Sequence, residues 1–99
     1  MLTITAVIRA HKGEEGAMRR ALLEVADNVR AIEPDTAGFF ISQDLEDPCV
    51  FTTYERFTDR AAMDRHNGSA AVAKFFGIAK PLLDGAVTLV TSSEISAKG

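Results

Sequence analysis

Residues 14–32 carry a single apolar stripe. Met18, Leu22, Val25, Val29 and Ile32 recur at steps of four and three, with Ala21 beside them, while Glu24, Asp27, Asn28 and Arg30 fall elsewhere. A helix with this pattern covers one apolar surface and leaves its other side to water. It therefore needs another layer of structure against the stripe, and the pattern is too short for a coiled coil. Glu14 and Glu15 put negative charge at the helix start, after a turn at His11-Lys12-Gly13. Pro34 disfavours helical backbone at Glu33 and ends the element.

The other layer is a sheet. Leu2, Ile4, Ala6 and Ile8 alternate with Thr3, Thr5, Val7 and Arg9, so residues 2–10 predict a strand with one fully apolar face. Residues 35–38 read as loop and 39–44 as a second strand. Glu46-Asp47-Pro48 is a turn, and 50–57, rich in Val, Phe, Thr and Tyr, is a third strand paired with the second as a hairpin. Thr58-Asp59 turns into a short helix that ends on His66 and breaks at Asn67-Gly68. Ser69 suits the N-cap of a second helical segment, which meets Pro81, with Gly85 as its stop. Residues 86–93 make the last strand, and 94–99 a small, polar, loose tail. The order β-α-β-β-α-β predicts an α+β, ferredoxin-like fold over residues 1–99, with two helices on one face of a four-stranded antiparallel sheet. The strands are apolar on both faces: Phe51 and Phe57 lie on one side of the third strand, Val50 and Tyr54 on the other. An uncovered, half-apolar sheet face calls for a partner, and the simplest is a second copy of the chain, giving a homodimer packed sheet to sheet.

Composition narrows the function. The chain has 99 residues, a net charge of −3 and scattered basic residues, which argues against a nucleic-acid partner. No apolar run is long enough to span a bilayer, and the first residues lack the pattern of a signal peptide, so no membrane partner is expected. The single Cys49 cannot form an internal disulfide, in keeping with a cytoplasmic setting. His11 and His66 lack metal-ligand spacing, and no phosphate-cradling or dinucleotide glycine motif is present, so no metal or cofactor is expected.

His66 is the side chain best suited to proton transfer near neutral pH, although a histidine at a helix C-terminus also serves as a plain cap. Tyr54 and Glu55 are strand neighbours and face opposite sides, so at most one of them lines a pocket. Glu55 shares its face with Phe51 and Phe57 and needs a partner there, so a salt bridge, for instance to an arginine, is slightly favoured over a free pocket carboxylate. Phe40, Phe57, Phe75 and Phe76 are candidates to wall an aromatic ligand, with plain core packing as the alternative. Asn67 is a candidate ligand contact or a helix cap.

Four stretches in order carry a resemblance: Met1 to Gly13; Glu33-Pro34 leading to Gly38-Phe39-Phe40; Leu45-Glu46-Asp47-Pro48 before Phe51 to Phe57; and His66 closing the helix that starts near Ala61. Together they resemble the antibiotic biosynthesis monooxygenase domain, whose members form dimeric α+β barrels. The resemblance implies a pocket in each subunit between sheet and helices. It also implies an oxidoreductase that oxygenates a small aromatic quinol or phenol without metal, flavin or haem, because a phenolate can itself supply electrons to dioxygen. In that reading His66 is the catalytic base, and Phe40, Tyr54, Glu55, Phe57, Asn67, Phe75 and Phe76 bind substrate. His66→Ala is then expected to lower turnover without unfolding the protein. This chain departs from the family pattern in having Phe57 where many relatives have tryptophan, and Ala71 where many have a second histidine. The asparagine, tryptophan and histidine of the haem-degrading branch fall at Ala6, His66 and Phe76, which speaks against haem degradation. A small-molecule binding dimer without turnover, and an isomerase of a small carbonyl compound, are the alternatives.

Overall fold

In the computed structural model, which describes all 99 residues, β1 (Leu2–Arg9) runs down the middle of the sheet. It pairs antiparallel with β3 (Val50–Phe57) on one side and with β4 (Thr88–Ser93) on the other; β2 (Thr36–Gln43) pairs antiparallel with β3 at the far edge. The strand order β2-β3-β1-β4 is that of the ferredoxin-like fold. Three α-helices follow from the same pattern: α1 (Glu15–Ile32), α2 (Arg60–Asn67) and α3 (Ala70–Ala79), the last running into a short 3-10 turn at Lys80–Leu82 that contains Pro81.

The helix starts are chemically marked. Asp59 accepts a hydrogen bond from the Ala62 amide at 2.8 Å and caps α2; Ser69 accepts from the Val72 amide at 3.2 Å and caps α3. Gly13 and Gly85 have φ of 93° and 87°, a left-handed backbone that favours glycine, at the turns leading into α1 and β4.

The α1 stripe is buried as expected from Met18 to Val29, but its last member, Ile32, lies 69% exposed at the helix end. Met18, Ala21, Leu22, Val25 and Val29 pack with Ala6, Ile8, Phe51 and Phe75 into the main core. A smaller core of Ile4, Phe57, Ala62 and Met63 lies beneath α2. Strand register sets what faces the helices: Leu2, Ile4, Ala6 and Ile8 stand opposite Phe57, Glu55, Thr53 and Phe51. The other sheet face carries Val7, Phe40, Tyr54 and Val90, all substantially exposed, with the Phe40 and Tyr54 rings stacked 6.2 Å apart.

Several boundaries differ from expectation by one to three residues. β2 begins at Thr36 rather than 39, because the chain pairs with β3 straight after Pro34, absorbing the misfit as a bulge between Thr36 and Gly38. β4 begins at Thr88 rather than 86. Glu94, expected in a loose tail, is held: its carboxylate accepts from the Arg56 guanidinium at 2.8 and 2.9 Å and from the Tyr54 hydroxyl at 3.1 Å, and its amide donates to the Met1 carbonyl.

Candidate active site

Between the two cores the sheet floor turns polar. Thr53 and Glu55 are alternate residues of β3, so both point at the helices, and both are buried. The last turn of α2 lowers His66 onto them, leaving the histidine 3% exposed. Its Nε2 lies 3.2 Å from Glu55 Oε1, and its Nδ1 lies 2.8 Å from Glu33 Oε1. Glu55 Oε2 accepts from the Thr53 hydroxyl at 2.8 Å. Glu33 accepts from the Thr36 hydroxyl at 2.9 Å and the Asn28 amide at 3.2 Å. Phe39 and Phe57 flank the imidazole at ring separations of 5.4 and 5.3 Å. No buried side-chain nitrogen or oxygen is left without a partner.

Each carboxylate arrives by a local rule. Glu55 faces inward by strand alternation. Glu33 sits where Pro34 forbids another helical residue: its φ of −119° and ψ of 74° turn the chain out of α1 toward His66. Two carboxylates on one imidazole determine its charge. Burial by itself would lower the His66 pKa, but the hydrogen bonds to Glu55 and Glu33, with the attraction of both charges, outweigh it and hold the pKa above the ordinary 6.5. Only the imidazolium donates from both nitrogens at once; a neutral ring keeps one N–H and turns a lone pair toward the other carboxyl group.

The polar trio meets an apolar cavity of about 80 Å³ between sheet and helices. Ala6 and Thr53 keep its floor low, Leu22, Val25 and Phe75 close one side, and Phe76 and Leu89 stand at its rim, 49% and 58% exposed. Its only titratable lining groups are Glu55 and His66. About 150 Å³ accommodates a benzene ring, so an aromatic ligand enters only as the exposed rim side chains swing aside.

Of the residues singled out in the sequence, His66, Glu55, Asn67, Phe75 and Phe76 line this cavity. Phe57 lies fully buried against the His66 ring and does not reach it. Phe40 and Tyr54 are on the opposite sheet face, because each is one residue out of phase with the cavity-facing Phe39 and Glu55. The expected arginine partner of Glu55 is corrected to His66: Arg56 points to the other face and binds Glu94. Sequence reasoning missed Thr53, Phe39 and Glu33 as members of the site. Strand alternation from Glu55 would have found Thr53; for Glu33 the only local signal was the proline after it. No group of three His, Cys, Asp or Glu side chains is placed to hold a metal ion, and no helix is long and apolar enough to cross a membrane.

Solved structures share this architecture. A protein from Pseudomonas aeruginosa is 27% identical, with a TM-score of 0.86 over 96% of this chain and 94% of that one. One from Mycobacterium tuberculosis is 19% identical, with a TM-score of 0.89 over 99% and 98%. One from Nitrosomonas europaea, assigned to the antibiotic biosynthesis monooxygenases, is 18% identical, with a TM-score of 0.88 over 97% and 100%. No curated protein matches the sequence. The family model described as antibiotic biosynthesis monooxygenase matches residues 1–77, taking in β1 through most of α3 with Glu33, Glu55 and His66, and the chain therefore belongs to that family.

Proposed function

We propose that this protein is a cytoplasmic monooxygenase of a small aromatic quinol or phenol that works without a bound cofactor. The observation that carries the reading is a buried carboxylate–imidazole pair, Glu55 and His66, on the wall of an otherwise apolar cavity. A phenol placed there loses its proton to this pair, and the apolar walls exclude water from the phenolate. The phenolate then supplies electrons to dioxygen. For a phenol with one hydrogen on the reacting ring carbon, one oxygen atom becomes the new carbonyl oxygen and the other leaves as water with that hydrogen and the phenolic proton. The electrons balance without an external reductant. Asn67 and the imidazolium supply hydrogen-bond donors for the oxyanion and reduced oxygen. The small cavity favours a single ring, partly inserted beside Phe76 and Leu89.

Two copies are proposed to pack through the sheet face that bears Val7, Phe40, Tyr54 and Val90, a row of exposed apolar side chains on an otherwise regular sheet. In that arrangement Phe40 and Tyr54 serve the dimer rather than the ligand.

The test is dioxygen uptake with hydroquinones, naphthohydroquinones and hydroxyanthrones, corrected for autoxidation and repeated with chelator. Uptake that survives chelation and falls in Glu55→Gln supports the reading; no uptake above background across the panel overturns it. The same carboxylate facing an apolar cavity favours a second reading, an isomerase that moves a proton on a small carbonyl compound. Turnover under strict anaerobiosis separates the two.

A further inference from the structure

Glu33 touches His66 from a side that the cavity does not reach. The cavity wall includes Glu55 and His66 but not Glu33. Glu33 instead lines a separate surface cleft of about 240 Å³, with Pro34, Asp35, Thr36, Arg65 and Ser69, and neither Glu55 nor His66 opens onto it. His66 thus stands between two compartments, with one carboxylate on each ring nitrogen. The cleft has room for several waters, each of which takes about 30 Å³ in the liquid. The Glu33 side chain is 12% exposed, so it meets that water while holding the histidine.

We infer that Glu33 is a proton exit through which His66 exchanges its Nδ1 proton with water in the outer cleft, whether or not the cavity is filled. This rests on the proposed role of Glu55 and His66 as the proton-handling pair. The step moves one proton and no electrons. The imidazolium Nδ1 proton passes to Glu33 Oε1 across 2.8 Å. A neutral imidazole remains, with its other proton on Nε2 facing Glu55. The Glu33 carboxylic acid then releases its proton to water and is again a carboxylate; the reverse sequence refills the ring.

Orienting the ring would need only a neutral acceptor. A carboxylate at the C-terminal end of α1 is a costly choice for that purpose, because the helix dipole already places negative potential there. What a carboxylate adds is the capacity to bind and release a proton. The charged groups around it are few: Glu55 from β3, beyond the imidazole, and at the cleft rim Arg65 of α2 with Asp35, which neutralise one another at 2.8 Å. The Thr36 and Asn28 donors hold Glu33 in place without closing the cleft.

Glu33→Gln tests this, because glutamine keeps an oxygen for the Nδ1–H but cannot take its proton. The rate at which water exchanges with the His66 Nδ1 proton is read by NMR saturation transfer on the unliganded, nitrogen-15-labelled protein near about pH 6, where the ring is charged. Exchange is expected to slow at least about tenfold in Glu33→Gln, equivalent to about 1.4 kcal/mol in the barrier. It is expected to stay unchanged in Leu89→Trp, which narrows the cavity mouth. A wild-type rate in folded Glu33→Gln overturns the inference, and so does slowing in Leu89→Trp, which alone decides if Glu33→Gln does not fold. No turnover is needed. Normal exchange in Glu33→Gln alongside chelator-resistant oxygen uptake sinks the exit and leaves the oxygenase. Slowed exchange with no uptake does the reverse.

Discussion

Replacing His66 with leucine removes the group that reconciles two buried carboxylates. Glu55 then keeps only Thr53 as a donor, in a site lined by Ile4 and Phe39, and Glu33 loses its shortest contact. Removing one member of a buried, hydrogen-bonded charge group costs about 3–5 kcal/mol, because the remaining charge stays buried. Small domains have a total stability of about 5–15 kcal/mol, so the loss is a large share of it. With a urea slope of about 1–3 kcal/mol/M, the unfolding midpoint should fall by about 1–5 M near neutral pH. His66→Ala should behave similarly or worse, since it adds a void. The expectation from sequence that His66→Ala leaves the dimer folded is therefore tested by the same measurement. Glu55→Leu/His66→Leu should recover at least about half of the loss, because apolar replacement of a buried charge pair is often neutral or better. Glu33 is left its Thr36 and Asn28 donors and its outlet to the cleft. Urea unfolding of wild type, single and double variants reads all of this. A single variant within about 1 kcal/mol of wild type, or a double variant no more stable than the single, refutes the reasoning. The pH dependence checks the charge. The folded pKa of His66 is raised, so its contribution is complete below the unfolded value of about 6.5 and is lost as pH rises through the folded value. That loss with rising pH should vanish in His66→Leu.

Other outcomes follow from the same geometry. Turnover that needs the deprotonated ring should rise with pH to a plateau beyond the raised His66 value, and Glu33→Gln, by removing one stabilising charge, should move that inflection down; a pH–rate profile shows either. Ala6→Leu should fill the cavity floor and abolish phenol binding by calorimetry while the protein stays folded, with an overpacking cost of about 1–3 kcal/mol. Phe40→Lys should leave a folded monomer by light scattering where wild type is a dimer, and wild type that is itself monomeric at micromolar concentration removes the proposed interface.

Much of this protein is determined locally. The α1 stripe, the alternation in β1 and β3, the Asp59 and Ser69 caps and the Pro34 break each depend on residues a few positions apart, so periodicity and capping chemistry reveal the elements and their order. The candidate base, His66, was legible for the same reason. The proton chemistry was not. Glu33 meets His66 across 33 positions of sequence, and no periodicity links the end of α1 to the end of α2. Their meeting depends on how β2 pairs with β3 after the Pro34 turn and how deeply α2 sits on the small core beneath it. Tertiary structure likewise assigned Phe40 and Tyr54 to the outer face, through a strand phase that the apolar composition of both faces left open. It also gave Glu55 a histidine instead of an arginine. Side-chain type and spacing decide which groups are able to carry a proton; only long-range packing decides which of them share one, because a hydrogen bond of 2.8 Å requires both backbones to be in place first.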